Sequence, residues 1–277
     1  KISVLDMLGA PDWLPRMGHW SVNGARKSFR QRVRANITHR RQHGYTGDGH
    51  EGDERDLLDL MLNARNEDGA ALTDMEVEDN LLAFVGAGHE TTARALAWAL
   101  YVLSQSPDWL DRARQEIKAA NLDDLSAEDW LDALPINRAI LEETMRLYPP
   151  VPLIVRQANQ ATQMNGKPIA GGTGFICWSF ILHRHKTLWD APDAFRPERF
   201  LPQNRDKIDR FAYLPFGAGP RICVGQRFAM QEGVIALASL LRHVDFSYAG
   251  DKPPMPLMRI SLRPDNDLPM RVRPASS

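Results

Sequence analysis

A chain of 277 residues, 43% hydrophobic and 25% charged, is long enough to bury one substantial core or two small ones, and its net charge of −1 gives no global attraction to nucleic acid. Two cysteines, Cys177 and Cys223, exclude a disulfide scaffold and fit a reducing compartment, so a cytoplasmic location is expected. No stretch approaches the roughly 18 apolar residues of a membrane span, the longest candidate being Leu96 to Leu103, and residues 1–20 carry no signal-peptide pattern.

Residues 1–20 hold Pro11, Pro15 and Gly18 beside Trp13 and Trp20, and read as a helix end followed by a loop. A helix is predicted from Ser21 to His43. It carries seven Arg or Lys residues and no acid, with Phe29, Val33 and Ile37 as one apolar stripe. Such a run would suit a phosphate or nucleic-acid face, but a solvated basic face is the commoner meaning. No aromatic platform is interleaved with the charges, so no nucleic-acid partner is expected. Residues 44–54 read as an exposed loop, and Leu57 to Leu62 as a short helix ending near Asp68-Gly69.

Thr73-Asp74-Met75-Glu76 is a capping-box pattern, and no stop signal follows until Ser106-Pro107. The helix should run about 32 residues, or about 48 Å. Its apolar residues occur nearly all round, which predicts burial at the centre of the domain. Gly86 and Gly88 lie in its middle, each costing roughly 1 kcal/mol against alanine. Either another helix packs closely there or a flat group lies on the helix. His89-Glu90-Thr91-Thr92-Ala93 opens like a zinc-protease helix, but Ala93 stands where the second histidine is needed. Thr92 is expected to bond a carbonyl of the preceding turn.

Beyond Pro107, Trp109 to Ala119 and Ser126 to Leu131 read as amphipathic helices, the second capped by Ser126. The helix within Leu134 to Pro150 places Glu143 and Arg146 three apart on one face, which suits an ion pair. Val151 to Val155, Met164 to Pro168 and Phe175 to Ile181, punctuated by Gly166 and Gly171-Gly172, predict small sheets, with Cys177 at a buried strand position. Phe216 to Gly225 is a glycine-rich loop presenting Cys223 just before an apolar helix over Gln226 to Leu241. A sulfur there sits near unpaired backbone N–H groups, which favour the thiolate. It is a candidate ligand or nucleophile, the alternative being an inert buried thiol. Arg221 could bind an anion, and Gly217, Gly219 and Gly225 allow close approach to the main chain. The tail from Phe246 to Arg273 predicts terminal hairpins.

The pattern Phe216-x-x-Gly219-x-Arg221-x-Cys223-x-Gly225 closely resembles the haem-binding loop of the cytochrome P-450 family. Independently, Ala87-Gly88-x-Glu90-Thr91 resembles the oxygen-binding segment of that family's central helix, and Arg196-Pro197-Glu198-Arg199-Phe200 its meander. The resemblance covers nearly the whole chain, and the soluble bacterial type is the most similar. It implies a mainly α fold with small β-sheets: the C-terminal part of the cytochrome P-450 fold, with a long central helix and a cysteine haem loop. Residues 1–277 would form a single domain without the family's N-terminal helices. No Trp here is followed by Arg at the four-residue offset of the propionate-binding helix among those.

The same resemblance implies haem b with the Cys223 thiolate as axial metal ligand. Arg221 and Arg156 would meet its propionates, and Phe216, Gly217, Gly225, Ala87 and Gly88 would lie against it. Ala83, Val151, Leu153 and Ile154 would face substrate. Glu143, Arg146 and Arg199 would form a buried structural network. A thiolate ligand favours O–O cleavage, for which the Thr91 hydroxyl and Glu90 carboxylate would hold and relay protons. The implied function is a haem-thiolate monooxygenase acting on a hydrophobic small molecule and dioxygen, with electrons from NAD(P)H through a ferredoxin or flavoprotein reductase. The alternative is a truncated, non-catalytic remnant that binds haem weakly or not at all. A cysteine hydrolase would need a histidine base beside Cys223, and none is placed there by sequence.

Overall fold

The computed structural model describes residues 19–44 and 56–275. Of the loop expected within residues 1–20, all but positions 19 and 20, which open the first helix, lies outside the described residues, as does nearly all of the loop expected over 44–54. The chain divides into two compact units, the first ending at Ala87 and the second beginning at Gly88.

In the first unit, helices α1 (His19–His43) and α2 (Leu57–Asn63) accompany the opening turns of α3 (Asp74–Ser104). The apolar stripe of α1 contributes Val33 and Ile37 to a core with Met61 and Val77. Its basic face closes on acids of this same unit. Arg30 donates to Glu78 at 2.6 Å and Asp79 at 2.8 Å, Arg34 donates to Glu78, Arg40 bridges to Asp56 at 2.9 Å, and Arg41 reaches Asp74 at 2.6 Å. Internal pairing thus accounts for much of the basic run. Asp56 caps α2 by accepting from the Asp59 N–H at 2.9 Å, and Arg40 holds that carboxyl below its ordinary range. The capping box of α3 forms: Thr73 N–H donates to the Glu76 carboxylate at 2.8 Å and Glu76 N–H to the Thr73 hydroxyl at 3.3 Å.

The second unit is mainly helical with small antiparallel sheets. After the rest of α3 come α4 (Pro107–Ala119), α5 (Trp130–Ala133) and α6 (Pro135–Leu147). Strands β1 (Ile154–Gln157), β2 (Thr162–Met164), β3 (Lys167–Ile169) and β4 (Gly174–Cys177) follow. Then come α7 (Ser179–Leu182), α8 (Pro202–Arg205) and α9 (Gln226–His243). The chain closes with β5 (Val244–Tyr248), β6 (Pro256–Met258), β7 (Leu262–Pro264) and β8 (Met270–Pro274). Pairing is β1 with β4, β2 with β3, β5 with β8 and β6 with β7.

Ala99 and Leu103 of α3, Ile117 of α4, Ile140 and Leu141 of α6, and Val234, Leu237 and Leu241 of α9 form the main core. Helices α6 and α9 approach closely at Gly233, where an added Cβ would stand 2.5 Å from Leu141 Cδ2. The N-terminus of α6 is capped from α4: Glu116 accepts the N–H groups of Ile136 at 2.7 Å and Asn137 at 2.9 Å.

Several sequence expectations are corrected. Helix α3 is buried at Trp98, Ala99 and Leu103 but exposed at Ala83 and over 85–89. Apart from Val85, that stretch is apolar through Ala and Gly, which have little area to bury. The Met164 to Pro168 run is a hairpin, because Asn165 and Gly166 take positive φ of 50° and 75° and turn the chain between β2 and β3. The Phe175 to Ile181 run leaves strand after Cys177: Phe180 N–H donates to Pro152 O at 3.1 Å and Ser179 Oγ to Val151 O at 2.8 Å, drawing the chain into α7. Cys177 is exposed, since β1 and β4 make a sheet of only two strands. Ser126 does not cap a helix; its hydroxyl donates to the Asp129 carboxylate at 2.7 Å, and helix begins only at Trp130. Among the described residues no helix is long and apolar enough to cross a membrane.

Candidate functional site

In the loop before α9, Cys223 N–H donates to Phe216 O at 2.9 Å and Ile222 N–H to Gly219 O at 3.0 Å. Gly217 and Gly219 have φ of 79° and 74°, which side chains rarely adopt, so the loop needs glycine at both. Gly225 is the N-cap of α9, and a Cβ there would stand 4.0 Å from Cys223 Sγ. Cys223 and Arg221 are exposed. So are the apolar side chains next to it in sequence, Ile222 and Val224 at 83%, and Phe228 at 69% in the first turn of α9. Phe216 is half-buried and packs on the main core, anchoring the loop's first residue.

Ile154 of β1 lies beside the loop, its Cδ1 3.9 Å from a Cβ built at Gly217. Leu153 is half-buried, while Val151 and Arg156 are exposed; Arg156 Nη1 donates to the carbonyl of Val155 at 2.9 Å. On α3 a Cβ at Gly86 or Gly88 would meet nothing within 4 Å. Close packing of another helix therefore does not explain these glycines, in contrast to Gly233. Ala83 and Ala87 are exposed on the same helix and Thr91 is half-buried. Thr92 is buried, and among the described residues its hydroxyl has no hydrogen-bond partner, so the expected bond to the preceding turn is not made.

Glu90 carries a contact that the sequence did not reveal. Ser261, in the turn between β6 and β7, donates its hydroxyl to Glu90 Oε1 at 2.6 Å, with Arg94 Nη2 3.4 Å from the same oxygen. The Ser261 bond, then Arg94 and His89, hold the Glu90 carboxyl below its ordinary range against the smaller opposing effect of burial. The same hairpin is fixed at Leu262, which accepts from Trp98 Nε1 at 3.2 Å and donates to Pro150 O at 2.9 Å. Helix, hairpin, the chain entering β1 and the cysteine loop are thus linked in series within the second unit.

A buried charge network lies in the same unit. Arg146 and Glu143 are both fully buried and pair twice, Nε to Oε2 at 2.7 Å and Nη2 to Oε1 at 2.8 Å. The remaining donors of Arg146 reach His183 O at 2.8 Å, Pro192 O at 2.6 Å and Ala194 O at 3.0 Å, so all five N–H groups are used. Glu143 also accepts from the Arg196 N–H at 2.8 Å, with Arg199 Nε at 3.5 Å. Burial pushes Glu143 up while Arg146 opposes it. His183, another buried residue not singled out by the sequence, accepts the Leu214 N–H on Nε2 at 2.8 Å.

The donor set limits what the cysteine could hold. Among the described residues no group of three or more His, Cys, Asp or Glu side chains could bind a metal ion. A metal on Cys223 would have to bring its other ligands with it, as a macrocycle does. The exposed apolar side chains at 222, 224 and 228 suit a flat apolar ring beside the sulfur.

A family model described as cytochrome P-450 matches residues 10–269. Cytochrome P-450 4B1 of Rattus norvegicus is 34% identical over 225 residues, covering 80% of this chain and 44% of the relative. Cytochrome P-450 4d2 of Drosophila melanogaster is 37% identical over 229 residues, covering 79% and 44%. The crystal structure of the cytochrome P-450DA haem domain matches with a TM-score of 0.80 at 33% identity, over 90% of this chain and 54% of that one. The chain spans less than half the length of the two curated relatives.

Proposed function

Since this chain belongs to the cytochrome P-450 family, we propose that it serves a haem-thiolate monooxygenase, which inserts one atom of dioxygen into a hydrophobic organic substrate. Electrons would come from NAD(P)H through a ferredoxin or flavoprotein reductase, in a reducing, cytoplasmic setting. The observation that carries this reading is Cys223: an exposed thiol in a glycine-dependent loop, flanked in sequence by the exposed apolar residues Ile222 and Val224.

Haem b, when bound, supplies the redox-active iron at which dioxygen is reduced. The chain's part is to hold, orient and supply protons. Cys223 offers one sulfur ligand to the iron. Gly217 and Gly225 keep the loop's backbone free of side chains, and Phe216 fixes its entry to the core. Arg221 and Arg156 offer guanidinium groups to the carboxylates of the ring. On α3, Ala87 and Gly88 present a low surface, Thr91 a hydroxyl that can hold a water, Glu90 a carboxylate that can pass it a proton, and Ala83 a small substrate-facing side chain. Val151, Leu153 and Ile154 offer apolar contacts to substrate from the chain around β1. Glu143, Arg146 and Arg199 tie helix α6 to the chain over 183–199.

The test is the difference spectrum of the reduced, haem-loaded chain with carbon monoxide, for the protein and for Cys223→Ser. A strongly red-shifted Soret band that Cys223→Ser abolishes is the expected result. No haem uptake, or an unchanged band in the variant, would overturn the reading; the former would favour a chain that keeps the fold without the chemistry.

A further inference from the structure

We propose that Ser261 is the positioning residue for Glu90, fixing the direction of its carboxylate and so governing when Glu90 can pass a proton. This rests on the monooxygenase reading above.

Ser261 is 4% exposed, and its Oγ to Oε1 distance of 2.6 Å is that of a charge-assisted bond. The serine is held by its surroundings. Leu262 next to it is bonded to Trp98 on one side and Pro150 on the other, and the Arg259 N–H donates to Ser261 O at 3.1 Å across the turn. Glu90 has the opposite character: its side chain is 45% exposed, on a stretch of α3 bare of packing. Of the two groups that meet, the serine is the fixed one and sets the geometry.

Arg94 is the other charged group on this carboxylate, one turn along the same helix and longer at 3.4 Å; His89 adds a weaker field. Both the serine and Arg94 act on Oε1, leaving Oε2 as the oxygen that takes a proton from solvent and gives it to a water on the Thr91 hydroxyl. The proton count balances, because Glu90 is ionised before and after each passage. A hydroxyl donor bonds the ionised carboxylate more strongly than the acid, so each passage weakens the Ser261 bond without breaking it.

The test compares the full chain with Ser261→Ala and Ser261→Thr. Without haem, the Glu90 carboxyl is titrated by carbon-13 NMR and assigned with Glu90→Gln. Ser261→Ala is expected to raise its pKa by about one unit, as loss of a charge-assisted bond to a partly solvated carboxylate should, and Ser261→Thr to restore it. In the haem-loaded protein, the acid limb of product formed per electron consumed should move in the same direction. An unmoved Glu90 titration would overturn the positioning, since a merely structural serine would lower thermal stability and leave Glu90 alone. A moved titration with an unmoved coupling profile would overturn the control of proton passage. Failure of the unmodified chain to take up haem is separate: it refutes the monooxygenase reading and is seen in the spectrum, while the titration needs no haem.

Discussion

His183 is fully buried and spends the lone pair of Nε2 on the Leu214 N–H, so its ring is neutral in the folded chain. Burial, reinforced by the nearby Arg146 guanidinium, lowers its pKa from 6.5 to about 3. Between those two values the unfolded chain binds a proton that the folded chain refuses, so stability falls as pH falls through this window. The slope approaches about 1.4 kcal/mol per pH unit. Urea unfolding from pH 7 to pH 5 should show it. His183→Asn, whose amide oxygen can still accept from Leu214, should flatten the slope by about one proton; equal slopes would show that another group titrates. Neither His183 nor Ser261 was legible beforehand, because each is defined by a partner 31 or 171 residues away. Cys223 was legible because five specified positions fall within ten residues. The Glu143–Arg146 pair could be read from its spacing, but not the carbonyls that complete it.

The elements themselves were legible wherever local chemistry decided them. The capping box gave the start of α3 and Ser106-Pro107 its end, so a run expected at about 32 residues is found at 31. Strand limits failed where Asn165-Gly166 turned the chain or where long-range bonds to the carbonyls of Val151 and Pro152 drew it into α7. Two helix glycines that look alike in sequence prove to be opposites. An alanine at Gly233 would drive its Cβ against Leu141, so Gly233→Ala should destabilise by about 1–3 kcal/mol as an overpacked core does. Gly88→Ala meets open space and should gain up to about 1 kcal/mol of helix propensity in the haem-free chain. It should also weaken haem uptake if the ring lies on that surface. Thermal melts of the two variants without haem should move in opposite directions, and a shared direction would contradict the packing described here.

At the scale of the molecule, charges pair within each unit, many of them at the surface and one pair wholly buried. The basic face of α1 closes on the acids of Asp56, Glu78, Asp79 and Asp74, and the Glu143–Arg146 pair lies wholly in the interior of the second unit. Arg146 has a consequence for time rather than for structure. Its bond to Glu143 is local, but three of its donors end on carbonyls 37, 46 and 48 residues further along the chain. Until residues 183–194 arrive, the guanidinium must keep its water, because burying it half-satisfied would cost several kcal/mol. Helix α6 can therefore form early, and the dry network is expected to close only after the barrier to folding. Arg146→Lys, with three donors for five, should then lose about 3–5 kcal/mol almost entirely as faster unfolding, with refolding rates near those of the parent. A matching slowdown in refolding would place the network in the folding nucleus instead.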